Sequence, residues 1–187
     1  MPRPSFLLAC RLAVVGVTAF AATGRAADAR RQPNFGLVVM DDVGYGDLGC
    51  YGSRVHRTPH IDRLAAEGLR LTDFHTNGAV CSPTRAALMT GQYQQRSGVE
   101  TAIGFNLKEG MPPAKTTLAE ALRPAGYACG VFGKWHLGHV SRFGPNAQGF
   151  DTAYVSNNTP DYHSHVSREG ELDWFADGTL RDEPTLW

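Results

Sequence analysis

The sequence predicts an α/β domain, a buried sheet flanked by helices, and three stretches carry that prediction. Residues 34–40 (Asn-Phe-Gly-Leu-Val-Val-Met) form a continuous apolar run, the pattern of a central strand covered on both faces. Residues 58–68 read as a capped helix: Thr58 at the N-cap, Pro59 in the first turn, Ile61, Leu64 and Ala65 on the apolar face, Gly68 at the end. Residues 127–132 (Tyr-Ala-Cys-Gly-Val-Phe) form a second short apolar strand. At 187 residues the chain has room for one modest domain with a core.

Taken in order, residues 1–27 read as an export signal, with 28–187 as the mature domain. Arg3 and Arg11 make a positive front, residues 12–22 are apolar, and Gly24 and Ala26 stand like the −3 and −1 positions of a cleavage site. The expected location is therefore periplasmic or secreted. After the run at 34–40 come Asp41 and Asp42 and a glycine-rich stretch to Gly49. Carboxylates at a strand end can form a solvated turn or offer hard oxygen ligands to calcium or magnesium. Asp47 is explained by a turn. His56 and His60 are spaced like a metal pair, but Pro59 starts a helix between them, so both read as surface residues. Residues 69–75 look like a strand that delivers the chain to Cys81, with His75 structural.

Residues 79–91 (Ala-Val-Cys-Ser-Pro-Thr-Arg-Ala-Ala-Leu-Met-Thr-Gly) organise the chain. Pro83 suits the first turn of a helix, residues 86–89 are helix formers, and Gly91 suits the C′ position. Cys81 then sits on a loop at the positive end of the helix dipole, with Arg85 one turn further in, where an anion or a nucleophile is stabilised. Residues 92–115 read as a loop without chemistry. Thr116 or Thr117 caps a helix that Pro124 and Gly126 stop. After the strand at 127–132, Lys134 and His136 fall two apart in an extended loop, on one side of it. Residues 173–178 look like a strand and a turn, Asp177-Gly178 being the turn pair, while His163 and His165 read as exposed loop residues.

Composition excludes several classes. Eighteen basic and 18 acidic side chains balance, which removes a bulk electrostatic case for nucleic acid or an anionic membrane. No stretch is long and apolar enough for a membrane span in the mature chain. Cys10, Cys50, Cys81 and Cys129 show no zinc-like spacing; Cys50 and Cys129 can pair or stay free.

Together, Asp-Asp-x-Gly-Tyr-Gly-Asp at 41–47, Cys-x-Pro-x-Arg at 81–85 with Thr90-Gly91, and Gly-Lys-Trp-His-Leu-Gly at 133–138 resemble, motif by motif, the type I sulfatases. That resemblance covers roughly residues 34–177, the first third of a typical member. It implies an alkaline-phosphatase-like fold with a mixed, mostly parallel sheet flanked by helices, here an incomplete N-terminal part. It implies hydrolysis of sulfate monoesters of a small molecule or glycan. Cys81 would be oxidised by a formylglycine-generating enzyme to formylglycine, whose hydrate is the nucleophile. Asp41, Asp42 and the group at Cys81 would hold Ca2+, alternatively Mg2+. Arg85 and Lys134 would fix the hydrate and sulfate oxygens, and His136 would help hold the hydrate or promote its collapse. The family's remaining metal ligands, an Asp with Asn or His, and a further lysine and histidine lie downstream of Trp187. The expectation is thus an N-terminal piece, inactive by itself. The alternatives are a phosphonate or phosphodiester hydrolase using the same formylglycine, or a non-catalytic remnant that binds a cation or sulfated glycan.

Overall fold

The computed structural model describes residues 32–105, 108–158 and 163–181. The expected export signal at 1–27 lies outside the described residues. The chain divides into two units, Met1–Met40 and Asp41–Trp187. In the first, residues 32–40 have no regular secondary structure and are exposed, Val38 to 85%. The expected strand at 34–40 is therefore not formed. An apolar run becomes a strand only where a neighbouring strand takes up its N–H and C=O groups, and this run joins no sheet among the described residues.

In the second unit four strands form one mixed sheet in the order β1-β2-β3-β4. They are β1 Gly130–Lys134, β2 Thr152–Ser156, β3 Trp174–Ala176 and β4 Thr179–Leu180. The β1–β2 pair is parallel, with Lys134 opposite Ser156, and the other two pairings are antiparallel. The expected strand at 127–132 is displaced toward the C-terminus, so that Lys134 ends the strand rather than opening a loop. Its partner β2 decides this, because the parallel ladder begins only at Gly130 opposite Thr152. Asp177 and Gly178 make the predicted turn between β3 and β4, with φ of 46° and 78°, the signs a type I′ hairpin requires.

Among the described residues four α-helices accompany the sheet: α1 Pro59–Glu67, α2 Cys81–Thr90, α3 Gln94–Ser97 and α4 Leu118–Leu122. Thr58 and Gly68 stand at the cap positions of α1 as expected, but the Thr58 side chain makes no cap hydrogen bond and the apolar face is not a core face: Leu64 is 70% exposed. Polar contacts hold the helix instead. Thr58 Oγ1 accepts from Gly49 N at 2.8 Å and donates to Asp62 Oδ1 at 2.8 Å, and that oxygen also accepts from Cys50 N. His56 and His60 are exposed, as read. Residues 69–75 form no strand, with a bend at 72–73 and Leu69 exposed, and no strand pairs with them among the described residues. Thr117 caps α4 in a reciprocal box: Glu120 N donates to Thr117 Oγ1, and Thr117 N donates to Glu120 Oε2. The helix stops at Leu122, and Gly126 takes a left-handed conformation after it.

The core lies among α2, the sheet and the connection that follows α3. It comprises Ala86, Val99, Ile103, Met111, Trp135, Leu137 and Val155, with Met89, Val131, Phe150 and Phe175 packed against it. The connection at 92–115 is thus partly a core element. His165, expected to be exposed, is 1% exposed and stacks on Trp174 with ring centroids 4.9 Å apart. Cys50, Cys81 and Cys129 are free thiols.

Candidate active site

Helix α2 begins at Cys81 itself, two residues earlier than Pro83 suggests. Pro83 occupies the third helical position, where the backbone nitrogen still has no intrahelical acceptor, so proline fits without loss. The first ladder bond runs from Thr84 N to Val80 O. Cys81 therefore stands in the first turn, at the positive end of a ten-residue helix. At the other end, Gly91 takes φ 64° and its N–H caps the carbonyl of Ala87, as the sequence predicts.

Asp41 lies beside Cys81, with Oδ2 3.9 Å from Sγ. Asp42 adopts φ 57°, a left-handed conformation that aspartate tolerates better than most residues. In an extended chain, consecutive side chains point apart. The left-handed residue breaks that alternation, and one donor atom from each of Asp41, Asp42 and Cys81 lies within 4.8 Å of the other two.

Two cations close the cluster. Lys134 Nζ, at the carboxyl end of β1, donates to Asp41 Oδ2 at 2.8 Å and lies 3.3 Å from Cys81 Sγ. Arg85 Nη2 is 3.4 Å from Asp41 Oδ1, and its Nη1 donates to the carbonyl of Lys134, tying α2 to the end of β1. Both cationic side chains are largely buried, at 7% and 13% exposure, against 35% for Asp41. Buried Arg85 Nε has no hydrogen-bond partner among the described residues, which leaves a guanidinium donor for an anion. Burial alone would raise the Asp41 carboxyl. The hydrogen bond and charge of Lys134 and the charge of Arg85 outweigh that and hold it below the usual carboxylate range.

His136 is placed differently. It has φ 56° and is 6% exposed, and its Nε2 bonds the carbonyl of Ile103 at 2.9 Å. Desolvation lowers its pKa to about 4; the Ile103 bond opposes this, while the charges of Lys134, Arg85 and His139 add to it. The imidazole is therefore neutral at pH 7. Asp41, Asp42, Cys81, Arg85 and Lys134 thus converge by direct contact or proximity. His136 feels the two site cations, but its hydrogen bond goes to Ile103.

Sequence reasoning missed Ile103 and Ser82. Ser82 is fully buried, and its Oγ accepts from Ile103 N at 3.0 Å. Nothing in the residue types at 82 and 103 marks this contact, since it joins α2 to a loop 21 residues away. Behind the site, Gly138 takes φ 134° within the bridge it makes with Gly110. A Cβ there would lie 2.4 Å from Phe143 Cβ, so only glycine fits this close approach.

A cysteine at a helix start, two largely buried cations and paired carboxylates thus gather around one point. Comparison with known proteins gives the class. The Sulfatase family model matches residues 33–179, and the chain belongs to that family. It is 45% identical to human arylsulfatase G over 121 residues, which are 65% of this chain and 23% of that protein. Mouse steryl-sulfatase is 43% identical over 143 residues, covering 73% of this chain and 23% of the relative. Among solved structures, Ps i-CgsB in complex with k-i-k-neocarrahexaose superposes with a TM-score of 0.68 at 29% identity, covering 76% of this chain and 36% of that one. The chain thus spans about a quarter of the length of the curated relatives it matches. The mixed sheet flanked by helices is part of the alkaline-phosphatase-like fold of these sulfatases.

Proposed function

We propose that this region is the nucleophile-bearing part of a sulfuric ester hydrolase, arylsulfatase-like, that cleaves sulfate monoesters. In this reading Cys81 is oxidised after synthesis by a formylglycine-generating enzyme. Asp41 and Asp42 hold Ca2+, or Mg2+ in its place, and the protein is exported to the periplasm or beyond by the leader at 1–27. The observation that carries the reading is the meeting of Cys81 with Asp41 and Lys134 at the start of α2, with Arg85 paired to the same Asp41.

The donor set suits a hard divalent cation. Two carboxylates reach one side of Cys81, and the neighbouring cations keep Asp41 ionised and ready to ligate. Such a cation, when bound, supplies Lewis acidity and neutralises charge on the sulfate oxygens. Formylglycine supplies a hydrated aldehyde whose hydroxyl is the nucleophile, a function that the thiol of Cys81 lacks.

The chain's own residues do the rest. Lys134, 3.3 Å from the Cys81 side chain, orients the group at that position and donates to a sulfate oxygen. Arg85 offers Nε from a largely buried guanidinium, where a charge-assisted bond to an oxyanion is strong. His136, neutral at pH 7, presents an acceptor nitrogen able to take a proton during turnover. The substrate is a sulfated small molecule or glycan, in keeping with the steryl-sulfatase and carrahexaose-bound relatives.

The test is hydrolysis of 4-methylumbelliferyl sulfate, beside the matching phosphate ester, by the protein carrying this region and co-expressed with a formylglycine-generating enzyme. Turnover of the sulfate, lost by a factor of about 10³ or more in Cys81→Ala, is expected. A preparation in which mass spectrometry shows Cys81 converted, yet which turns over only the phosphate ester or neither, would refute the reading.

A further inference from the structure

The backbone of Ile103 is held at both ends of the residue. Its N–H donates to Ser82 Oγ at 3.0 Å, and its carbonyl accepts from His136 Nε2 at 2.9 Å. Ser82 follows Cys81 directly in the first turn of α2 and is fully buried; Ile103 and His136 are each 6% exposed. One peptide further on, the backbone of Gly104 bonds His139, and the Phe105 ring stands 4.6 Å from that imidazole. The same connection is fastened to the histidine loop a second time, by Met111 N donating to Leu137 O at 2.8 Å.

A carbonyl oxygen only accepts, so the ring nitrogen facing Ile103 carries the proton. The neutral imidazole is then the Nε2–H tautomer, and Nδ1 keeps its lone pair. Nδ1 is buried and has no hydrogen-bond partner among the described residues. Which ring nitrogen of His136 carries the proton is thus set by a backbone carbonyl, and the residue that bears this carbonyl is anchored one peptide plane earlier, through its N–H.

We infer that Ser82 is a positioning residue for His136: acting through the backbone of Ile103, whose N–H it holds and whose carbonyl the ring bonds, it locks the imidazole as Nε2–H with Nδ1 as the acceptor, in fixed register with the helical turn that bears Cys81. The role of His136 in turnover rests on the function proposed above; the mechanical link from Ser82 to the ring does not. Without the hydroxyl, Ile103 N–H loses its buried acceptor. The peptide plane before Ile103 is then free to turn, and the accompanying change in the backbone dihedrals of Ile103 shifts the carbonyl that His136 uses. No proton moves and no bond breaks in this role; Ser82 never touches the reacting atoms.

The test is proton–nitrogen NMR of the 15N-labelled chain, comparing wild type with Ser82→Ala and Ser82→Thr. In wild type and Ser82→Thr, the His136 Nε2–H proton is observed as a slowly exchanging imidazole signal, and the Ile103 amide is protected. In Ser82→Ala both protections fall at least tenfold. Ser82→Cys, nearly isosteric but a poorer acceptor, is measured in parallel and falls between; it decides the matter if the alanine variant does not fold. Unchanged His136 and Ile103 exchange in Ser82→Ala, or in Ser82→Cys where that variant decides, overturns the inference. Kinetics separate it from the functional reading. In enzyme whose Cys81 conversion is matched by mass spectrometry, Ser82→Ala lowers kcat about tenfold with KM within twofold, and Ser82→Thr restores it. If the NMR effect is present but wild type hydrolyses no sulfate ester, the functional reading falls and the positioning role stands.

Discussion

Replacing His136 by glutamine tests the electrostatic reading of the site through stability. In the folded chain His136 titrates at about 4, against 6.5 for an ordinary histidine, chiefly because protonation would place a charge in a desolvated position beside Lys134 and Arg85. A lowered folded pKa means that the unfolded chain binds more protons as pH falls from 6.5 toward 4. The contribution of neutral His136 is therefore fully present above pH 6.5 and is lost progressively as pH falls through that window. Between pH 7.5 and 5 the loss amounts to about 2 kcal/mol, and the full shift is worth about 3 kcal/mol. Glutamine can still donate to the Ile103 carbonyl but does not titrate. Urea unfolding at the two pH values gives the comparison: wild type should lose about 2 kcal/mol more than His136→Gln. Equal losses in the two proteins would show that His136 is not held neutral by its surroundings, and the argument for its basic nitrogen at pH 7 would go with it.

Two further substitutions probe the rest of the site. Lys134→Met removes the ammonium from Asp41 and leaves Arg85 as the nearer compensating charge; the Asp41 carboxyl should titrate higher and stability at pH 7 should fall by about 1–3 kcal/mol, read by carboxyl carbon NMR and urea unfolding. An unchanged Asp41 titration would contradict the ion pair. Gly138→Ala puts a methyl group 2.4 Å from Phe143 Cβ at a φ of 134°, so a loss of about 2 kcal/mol or more is expected in thermal unfolding; a loss below about 0.5 kcal/mol would show that the loop yields there.

Local chemistry made much of the candidate site legible. Pro83 and Gly91 bracket a helix wherever the rest of the chain goes, because one lacks an N–H and the other tolerates left-handed φ. Thr117 with Glu120 closes a capping box within four residues, and Asp177-Gly178 makes a type I′ turn from its own backbone preferences. The short motifs also named Asp41, Asp42, Cys81, Arg85 and Lys134, and these do lie together. Long-range pairing was not legible. The apolar run at 34–40 and the segment at 69–75 look like strands, yet a strand exists only where another edge completes its hydrogen bonds, and neither has one among the described residues. Strand β1 begins three residues late because β2, which no pattern announced, sets its ladder. His165 is buried because Trp174 lies flat against it, a contact without a local sequence signal.

The sequence by itself determined which side chains are available for the chemistry and the helix and turns that carry several of them, since caps and turns act over only a few residues. Tertiary structure alone decided that Lys134, 53 residues from Cys81, reaches its sulfur. It likewise decided that a buried serine and the backbone of Ile103 govern how His136 is held. Distances of this kind are fixed by packing between elements, and packing depends on every residue in the core at once.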